Sequence, residues 1–412
     1  MSSTQFERLV VRNWRQFDHI DLDLSSRLTV LTGVNGAGKT SLLALLGYHF
    51  SWSNQFVHSP NRRVREFTTQ DARGELVRKR YAGSVSHIGT LTYDDYSESE
   101  LSVPLNDDPQ FSVSFGSQKN VNGLYLNSHR FLASYKPVSA IPARFGGASE
   151  LFELFSNEVR SPFVGKQSKK SPQLVMKESL IAAAVFGEGS ASVRPSENAF
   201  DIWNGFQDVL RVLLPKSFGF VRLVVDPPEV IVQTELGEFP LDALSGGLTA
   251  IFEIGWQIFL RSREFETFTV CFDEPENHLH PSLQREIMPN LLAAFPRVKF
   301  VVATHSPFVV TAARDARVYI LDGGSRGLIE ANELDINSDG VSAEQTLSNV
   351  LGVRSTLPIW AEHEFERILS NFSGSVPSAE NLVNLRHQLE NAGLSGSLPL
   401  AVDTVTSSRN RS

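Results

Sequence analysis

Four short runs hold the residues whose types and spacing could do chemistry. Gly33-Val34-Asn35-Gly36-Ala37-Gly38-Lys39-Thr40 fits the pattern G-x-x-x-x-G-K-[ST], with Ser41 following. Its glycines let successive backbone N–H groups turn inward around a phosphate. Lys39 would then reach the β- and γ-phosphates of a nucleotide, and the Thr40 hydroxyl would ligate Mg²⁺. Phe268-Thr269-Val270-Cys271-Phe272 is an apolar run ending in two carboxylates, Asp273 and Glu274. The first can hold Mg²⁺ through water, and the second can polarise an attacking water as a general base. Leu244-Ser245-Gly246-Gly247 opens a run with apolar residues at helical spacing. Serine at a helix start beside two glycines is a second anion-binding device. A single phosphate loop does not need two cradles, so the economical reading has one chain's Ser245–Gly247 close over the nucleotide held by another. Thr304-His305-Ser306 is the fourth run, placed directly after an apolar stretch.

The elements that must position these residues are legible around them. Phe6–Val11, Ile20–Leu24 and Leu28–Thr32 read as strands, the last stopping at the glycine turn, and Ser41–Leu46 reads as helix. Between 84 and 127 short β-like runs alternate with turn signals, including 88–93, 111–115 and 124–126. Residues 137–200 are rich in Ser, Gly and Pro around a helical island at Glu178–Phe186, and read as an insertion expected to vary or to move. Helix is expected again at 199–214, strands at 220–225 and 230–234, and a buried or amphipathic helix after Gly247. Phe268–Phe272 and Val298–Ala303 have the continuous apolar pattern of buried parallel strands, with helix at 281–295 between them and a further strand at 318–321. Helices are expected at 344–351, 361–369 and 381–392.

The chain has 412 residues, of which 38 are Lys or Arg and 46 are Asp or Glu, a net charge of −8. That balance argues against coating nucleic acid with most of the surface, which needs concentrated positive charge. Local basic clusters remain at Arg62–Arg80 and at Lys166, Lys169 and Lys170, and read as solvated loops. There is one cysteine, Cys271, and no run of eighteen apolar residues. With a start that lacks the basic-then-apolar pattern of a secretory signal, these features suggest a cytoplasmic protein with no membrane span. His278 and His280 lack an evident third metal ligand. Arg130, in Asn127-Ser128-His129-Arg130, reads equally as a phosphate contact or as part of a structural turn.

Taken in their order, the four motifs resemble an ATP-binding-cassette ATPase. The strand end Asp273-Glu274-Pro275-Glu276-Asn277-His278-Leu279-His280-Pro281, with the opening Leu9-Val10-Val11-Arg12-Asn13-Trp14-Arg15-Gln16-Phe17, is similar to the soluble branch related to RecF, SMC and the overcoming-lysogenisation-defect ATPases. The likeness covers about residues 5–50 and 205–325. It implies an α/β fold: an ABC-ATPase head with a mixed and parallel sheet, an antiparallel β subdomain, a helical insertion and a C-terminal helical extension. The matching division is 1–136, 137–204, 205–330 and 331–412. It implies ATP and Mg²⁺ as ligands, with Gly33, Asn35, Gly36, Ala37, Gly38, Lys39, Thr40 and Ser41 around the phosphates and Thr40 and Asp273 on the metal. Lys39, Glu274 and His305 become the catalytic set, His305 as the switch histidine that senses the γ-phosphate. Ser245, Gly246 and Gly247 face the nucleotide of a partner subunit, and Asn277–His280 lies in the loop crossing that interface. Asn13 and Arg15 are expected near base and ribose. No glutamine is assignable to the water-coordinating Q-loop; Gln55 and Gln70 are candidates. Leu248 stands where transporter cassettes frequently carry glutamine.

The resemblance further implies an ATP-driven switch, dimeric or larger. Its best-fitting role is the sensor or regulatory subunit of an anti-phage defence system such as Septu, retron-associated or PARIS systems, working with a TOPRIM or HNH nuclease or a toxin on another chain. A RecF-like clamp on DNA is the alternative. The stretch after residue 325 is too short to carry a TOPRIM domain of its own.

Overall fold

The computed structural model describes residues 4–52, 55–57, 60–61, 66–67, 85–105, 108–129, 135–142, 144–165, 170–324, 327–334, 359–372, 379–394 and 401–402. Two compact units divide the chain, Met1–Thr346 and Leu347–Ser412.

An eleven-stranded mixed α/β sheet organises the first unit. Its strands are β1 (Phe6–Trp14), β2 (Phe17–Asp23), β3 (Leu28–Gly33), β4 (Val85–Tyr93), β5 (Glu98–Pro104), β6 (Ser114–Phe115) and β7 (Gly123–Leu126). A small three-stranded antiparallel sheet follows: β8 (Phe220–Asp226), β9 (Glu229–Thr234) and β10 (Gly237–Pro240). The main sheet resumes with β11 (Phe268–Asp273), β12 (Val298–Ala303), β13 (Arg317–Gly323) and β14 (Ile329–Leu334). The order across the main sheet is β6-β5-β4-β1-β2-β14-β13-β3-β12-β11-β7. From β13 to β7 neighbouring strands run parallel, whereas β1, β2, β4, β5 and β6 pair antiparallel. The apolar runs of β3 and β11 are buried at every position, as parallel strands covered on both faces must be. Alternate residues feed two cores. Val30, Val270, Phe272 and Phe300 pack with the helices of one face, and Leu31, Cys271, Val301 and Ala303 pack with β1, β2 and α1 (Lys39–Gly47) on the other.

Register sets the functional edge. Leu31 pairs with Ala303, and Ala303 with Asp273, so the ends of β11 and β12 stand level with Leu31, two residues before β3 ends at Gly33. The Thr304 N–H donates to the Leu31 carbonyl and the Glu274 N–H to the Ala303 carbonyl, extending the pairing one step beyond β11 and β12.

Where the sequence suggests one helical island near 178–186, the chain forms two helices, α2 (Ala148–Arg160) and α3 (Pro172–Glu188). The Ser171 hydroxyl caps α3 by accepting from the Leu174 N–H, and Pro172 occupies its first turn. Leu151, Phe155, Met176 and Leu180 are buried in the same core as α4 (Glu197–Leu213) and α5 (Gly246–Glu264). The Ser, Gly and Pro that colour this stretch sit largely in the connections between helices, which composition alone does not separate. A further helix of this core is α6 (Pro281–Ala294), entered through His280, whose Nδ1 accepts from the Ser282 N–H.

The second unit holds α7 (Ile359–Ser370) and α8 (Ala379–Asn391), joined by Phe365, Ile368, Phe372, Leu385 and Leu389 in a core of their own. The expected helix at 344–351, Arg130, Gln70 and most of the basic stretch 62–80 lie outside the described residues, as do Lys166 and Lys169; Lys170 is ion-paired with Glu178. Among the described residues no helix is long and apolar enough to cross a membrane.

One half-buried histidine should make the first unit sensitive to acid. His49 Nδ1 donates to the Leu46 carbonyl and Nε2 accepts from the Tyr93 hydroxyl, with the rings of Phe6 and Phe115 alongside. Burial pushes its pKa down to about 4 from an ordinary 6.5. A depressed folded-state pKa contributes stability that is complete above pH 6.5 and lost as pH falls toward 4, here on the order of 2–3 kcal/mol. Urea unfolding should therefore show His49→Gln, which cannot protonate, losing less stability than wild type between pH 6.5 and 4. Parallel losses in both proteins would assign the acid sensitivity elsewhere.

Candidate active site

The loop after β3 is held open by its glycines. Gly33, Gly36 and Gly38 have φ of 139°, 82° and 98°, values that L side chains rarely adopt. A Cβ on Gly33 would lie 2.3 Å from the Leu321 carbonyl oxygen, and one on Gly38 would lie 2.3 Å from the Phe17 ring. The helix α1 then begins at Lys39, its positive end toward the loop.

Lys39 is 5% exposed. Its ammonium donates to the carbonyls of Gly33 (2.9 Å) and Val34 (3.2 Å) and lies 3.4 Å from His305 Nδ1. Burial pushes its pKa down to about 8, against the pull of Glu274, Asp273 and Glu276. Because the ammonium can only donate, His305 Nδ1 accepts and the ring proton sits on Nε2, 3.7 Å from Glu274 Oε1. Burial first, and the Lys39 charge second, hold the His305 pKa below its usual value, which keeps the imidazole neutral. Three residues separated by up to 266 positions thus converge: Lys39, Glu274 and His305.

Thr40 and Asp273 form the second group. The Thr40 hydroxyl lies 3.1 Å from each Asp273 carboxylate oxygen, and Asp273 is 3% exposed. Burial raises its pKa to about 6, with the Thr40 hydrogen bond pulling the other way. A hydroxyl beside one carboxylate is a hard oxygen set that fits Mg²⁺, which takes one or two protein ligands and keeps water and phosphate oxygens for the rest.

Two residues at the strand end have roles here that their sequence gave no sign of. Glu276 is buried, and its Oε1 accepts from the Thr304 hydroxyl (2.7 Å), the His305 N–H (2.7 Å) and the Ser306 N–H (3.0 Å). One carboxylate oxygen thereby clamps the turn that carries His305. Asn277, expected in an interface loop, points its amide inward: Nδ2 donates to Glu274 Oε2 at 2.7 Å and to the Ser128 carbonyl at 3.1 Å. Glu274 has φ of 48°, so its side chain leaves the strand line and turns toward His305. Gln16 is a third such residue, donating from Nε2 to the Gly36 carbonyl at 3.3 Å. No periodicity marks any of these three; each acts through a partner distant in sequence.

Ser245 caps α5 by position, without a side-chain hydrogen bond to the helix, and Ser245 and Gly246 are exposed. Among the described residues no hydrogen bond joins Leu244–Gly247 to the loop at 33–40. Asn13 and Arg15 lie at the β1–β2 turn with φ of 49° and 54°, and the Arg15 guanidinium stands 5.5 Å from the Phe56 ring centroid. Gln55 is exposed.

Replacing Glu276 by alanine leaves the Thr304 hydroxyl and the backbone donors at 305–306 short of a charged acceptor. Hydrogen bonds to a charged group contribute about 1.5–3 kcal/mol each. We expect Glu276→Ala to destabilise the chain by about 3 kcal/mol in urea unfolding. Wild-type stability would remove the clamp from this description.

The two stretches that carry this site are each similar to AAA-domain families. The family described as "AAA domain" matches residues 8–140, which include the 33–40 loop. The one described as "AAA domain, putative AbiEii toxin, Type IV TA system" matches 231–311, which include Ser245, Asp273 and His305. The chain is similar to the Septu protein PtuA of Bacillus mycoides (strain KBAB4), 30% identical over 314 residues, covering 66% of this chain and 43% of that protein. It is also similar to the "Retron Ec83 probable ATPase" of Escherichia coli, 38% identical over 60 residues, 15% of this chain and 11% of the relative. A third likeness is to the DNA replication and repair protein RecF of Pseudarthrobacter chlorophenolicus, 40% identical over 74 residues and 18% of each chain. The matched length is thus less than half of the curated relatives.

Proposed function

We propose that the chain binds ATP with Mg²⁺, hydrolyses it at sites shared between two copies, and serves as the sensor or regulatory ATPase of an anti-phage defence complex. The observation that supports hydrolysis best is the convergence of Lys39, Glu274 and His305 beside the Thr40–Asp273 pair. Lys39 and the inward-turned loop N–H groups bind the phosphates. Held by Thr40 and Asp273, Mg²⁺ would neutralise charge developing on the β- and γ-oxygens. Glu274, oriented by Asn277, accepts the proton of the attacking water. Neutral His305 presents its Nε2 proton toward the same region, and Glu276 keeps it there. Closure of two copies gives Ser245 and Gly247 contacts to the γ-phosphate that the open state lacks. That difference shifts the equilibrium; a ligand bound equally in both states would shift nothing.

Likeness to PtuA and to a retron ATPase supports the defence role, with the output, a nuclease of TOPRIM or HNH type or a toxin, on another chain. The RecF likeness favours a second reading, an ATP-closed clamp on duplex DNA. Expression together with the neighbouring genes, followed by native mass spectrometry with and without ATP, separates them. A co-purifying effector whose occupancy follows the nucleotide supports the first reading. A homodimer without a second protein that binds duplex DNA tightly with ATP would replace it by the second.

A further inference from the structure

Outside the site, the most deeply buried charge among the described residues is Lys177, whose side chain is 0% exposed in the middle of α3. Its ammonium uses its three donors on three separate segments of the chain. It donates to Asp242 Oδ2 at 2.5 Å, to Glu229 Oε2 at 2.6 Å and to the Lys136 carbonyl at 3.0 Å, with the Tyr135 ring centroid 5.6 Å away. Glu229 begins β9, and Asp242, itself 5% exposed at the side chain, lies in the one-turn helix Leu241–Ala243. That turn leads directly into Leu244 and Ser245, the residue from which α5 starts.

A lysine stripped of water is costly unless its partners are fixed around it. Here those partners include the turn three residues before Ser245. Ser245 and Gly246 are exposed and carry no side-chain tether of their own. Their position must therefore be set from behind. Leu241 and Leu244 are buried and anchor the turn by packing, and Pro240 just before it pairs with Ile231 of β9. The Lys177–Asp242 bond adds a directional tie from α3 to the turn itself.

We infer that Lys177 is a positioning residue that holds the helix start at Ser245–Gly247 in the attitude needed to meet the nucleotide of the facing subunit. The inference rests on the shared-site reading above. It makes Lys177 act in trans: a subunit that lacks it keeps its own phosphate loop and fails only as the cap of its partner.

Mixing experiments read this directly. Lys177→Met homodimers should bind ATP as wild type does while turnover falls about tenfold or more, the pattern of an interaction made only in the transition state. Mixed with Lys39→Ala subunits, they should recover activity. Each heterodimer then pairs an intact phosphate loop from the Lys177→Met chain with an intact Ser245 helix start from the other. Should Lys177→Met fail to fold, Lys177→Met with Glu229→Gln and Asp242→Asn removes the charges together and leaves none buried alone. The reference mixture is Lys39→Ala with Ser245→Arg. If the reference recovers activity and the Lys177 mixture does not, with mixed dimers present, Lys177 serves its own site or folding and the inference is wrong. Full turnover in the Lys177 homodimer overturns it too. If neither mixture recovers, shared sites and the inference fall together.

Discussion

Glu274→Gln should give a protein that binds ATP and keeps it through gel filtration, while turnover falls by about 10²–10⁴, the contribution of a positioned general base. The substitution preserves side-chain shape and can retain the bond from Asn277, so the phosphate loop and the Thr40–Asp273 pair stay as they are. What disappears is the group able to take a proton from water. Because the chemical step is blocked after closure, the variant should also accumulate as the closed dimer in ATP. Size-exclusion chromatography coupled to light scattering and quantification of retained nucleotide would read both effects. Normal turnover would mean that another residue activates the water, and His305, 3.7 Å from Glu274, would be examined first.

Lys39→Ala removes the cation that now rests on the Gly33 and Val34 carbonyls and that would transfer to the phosphates. Loss of one such preorganised electrostatic contact costs about 10²–10³ in rate. Ser245→Arg should lose hydrolysis for a different reason: it places bulk and positive charge where, in the proposed dimer, the facing γ-phosphate would dock, while ATP still binds at its own loop. Each homodimer is then inactive, but a mixed dimer rebuilds one complete site and ruins the other. Up to half of the wild-type rate per mixed dimer is the natural ceiling, one site of two. Complete inactivity of verified mixed dimers would show that each chain works alone. Wild-type activity of Lys39→Ala would remove the phosphate-loop assignment itself.

Both expectations started from contiguous sequence, and the reason is physical. The Gly33–Thr40 loop needs positive φ at Gly33, Gly36 and Gly38 and a helix start at Lys39, all set by residues adjacent in the chain. The strands Phe268–Asp273 and Val298–Ala303 announce themselves because a strand covered on both faces must be apolar throughout. The helix after Ser245 and the helix from Pro281 follow from spacing and from a cap with proline beside it.

Other features were out of reach of such rules. A stretch coloured by Ser, Gly and Pro hid two helices, α2 and α3, because those residues belong to their connections while Leu151, Phe155, Met176 and Leu180 fill the core. Lys177 stands just before the helical island read at Glu178–Phe186, and only β9 and the turn at Asp242 make it a buried hub.

By itself the sequence determined the candidate groups: a glycine-rich loop, two carboxylates at a strand end, a histidine after the next strand and a serine-glycine helix start. Each depends on local backbone chemistry or on a run of one polarity, so it survives without a neighbour. Tertiary structure alone decided how they meet. The register that aligns Leu31, Ala303 and Asp273 puts Lys39, Glu274 and His305 at one edge. The same register lets the Glu276 carboxylate hold the His305 turn and the Asn277 amide orient Glu274. A hydrogen bond reaches about 3 Å, so such partners exist only once strand pairing has brought distant segments within that distance, and no spacing along the chain encodes it.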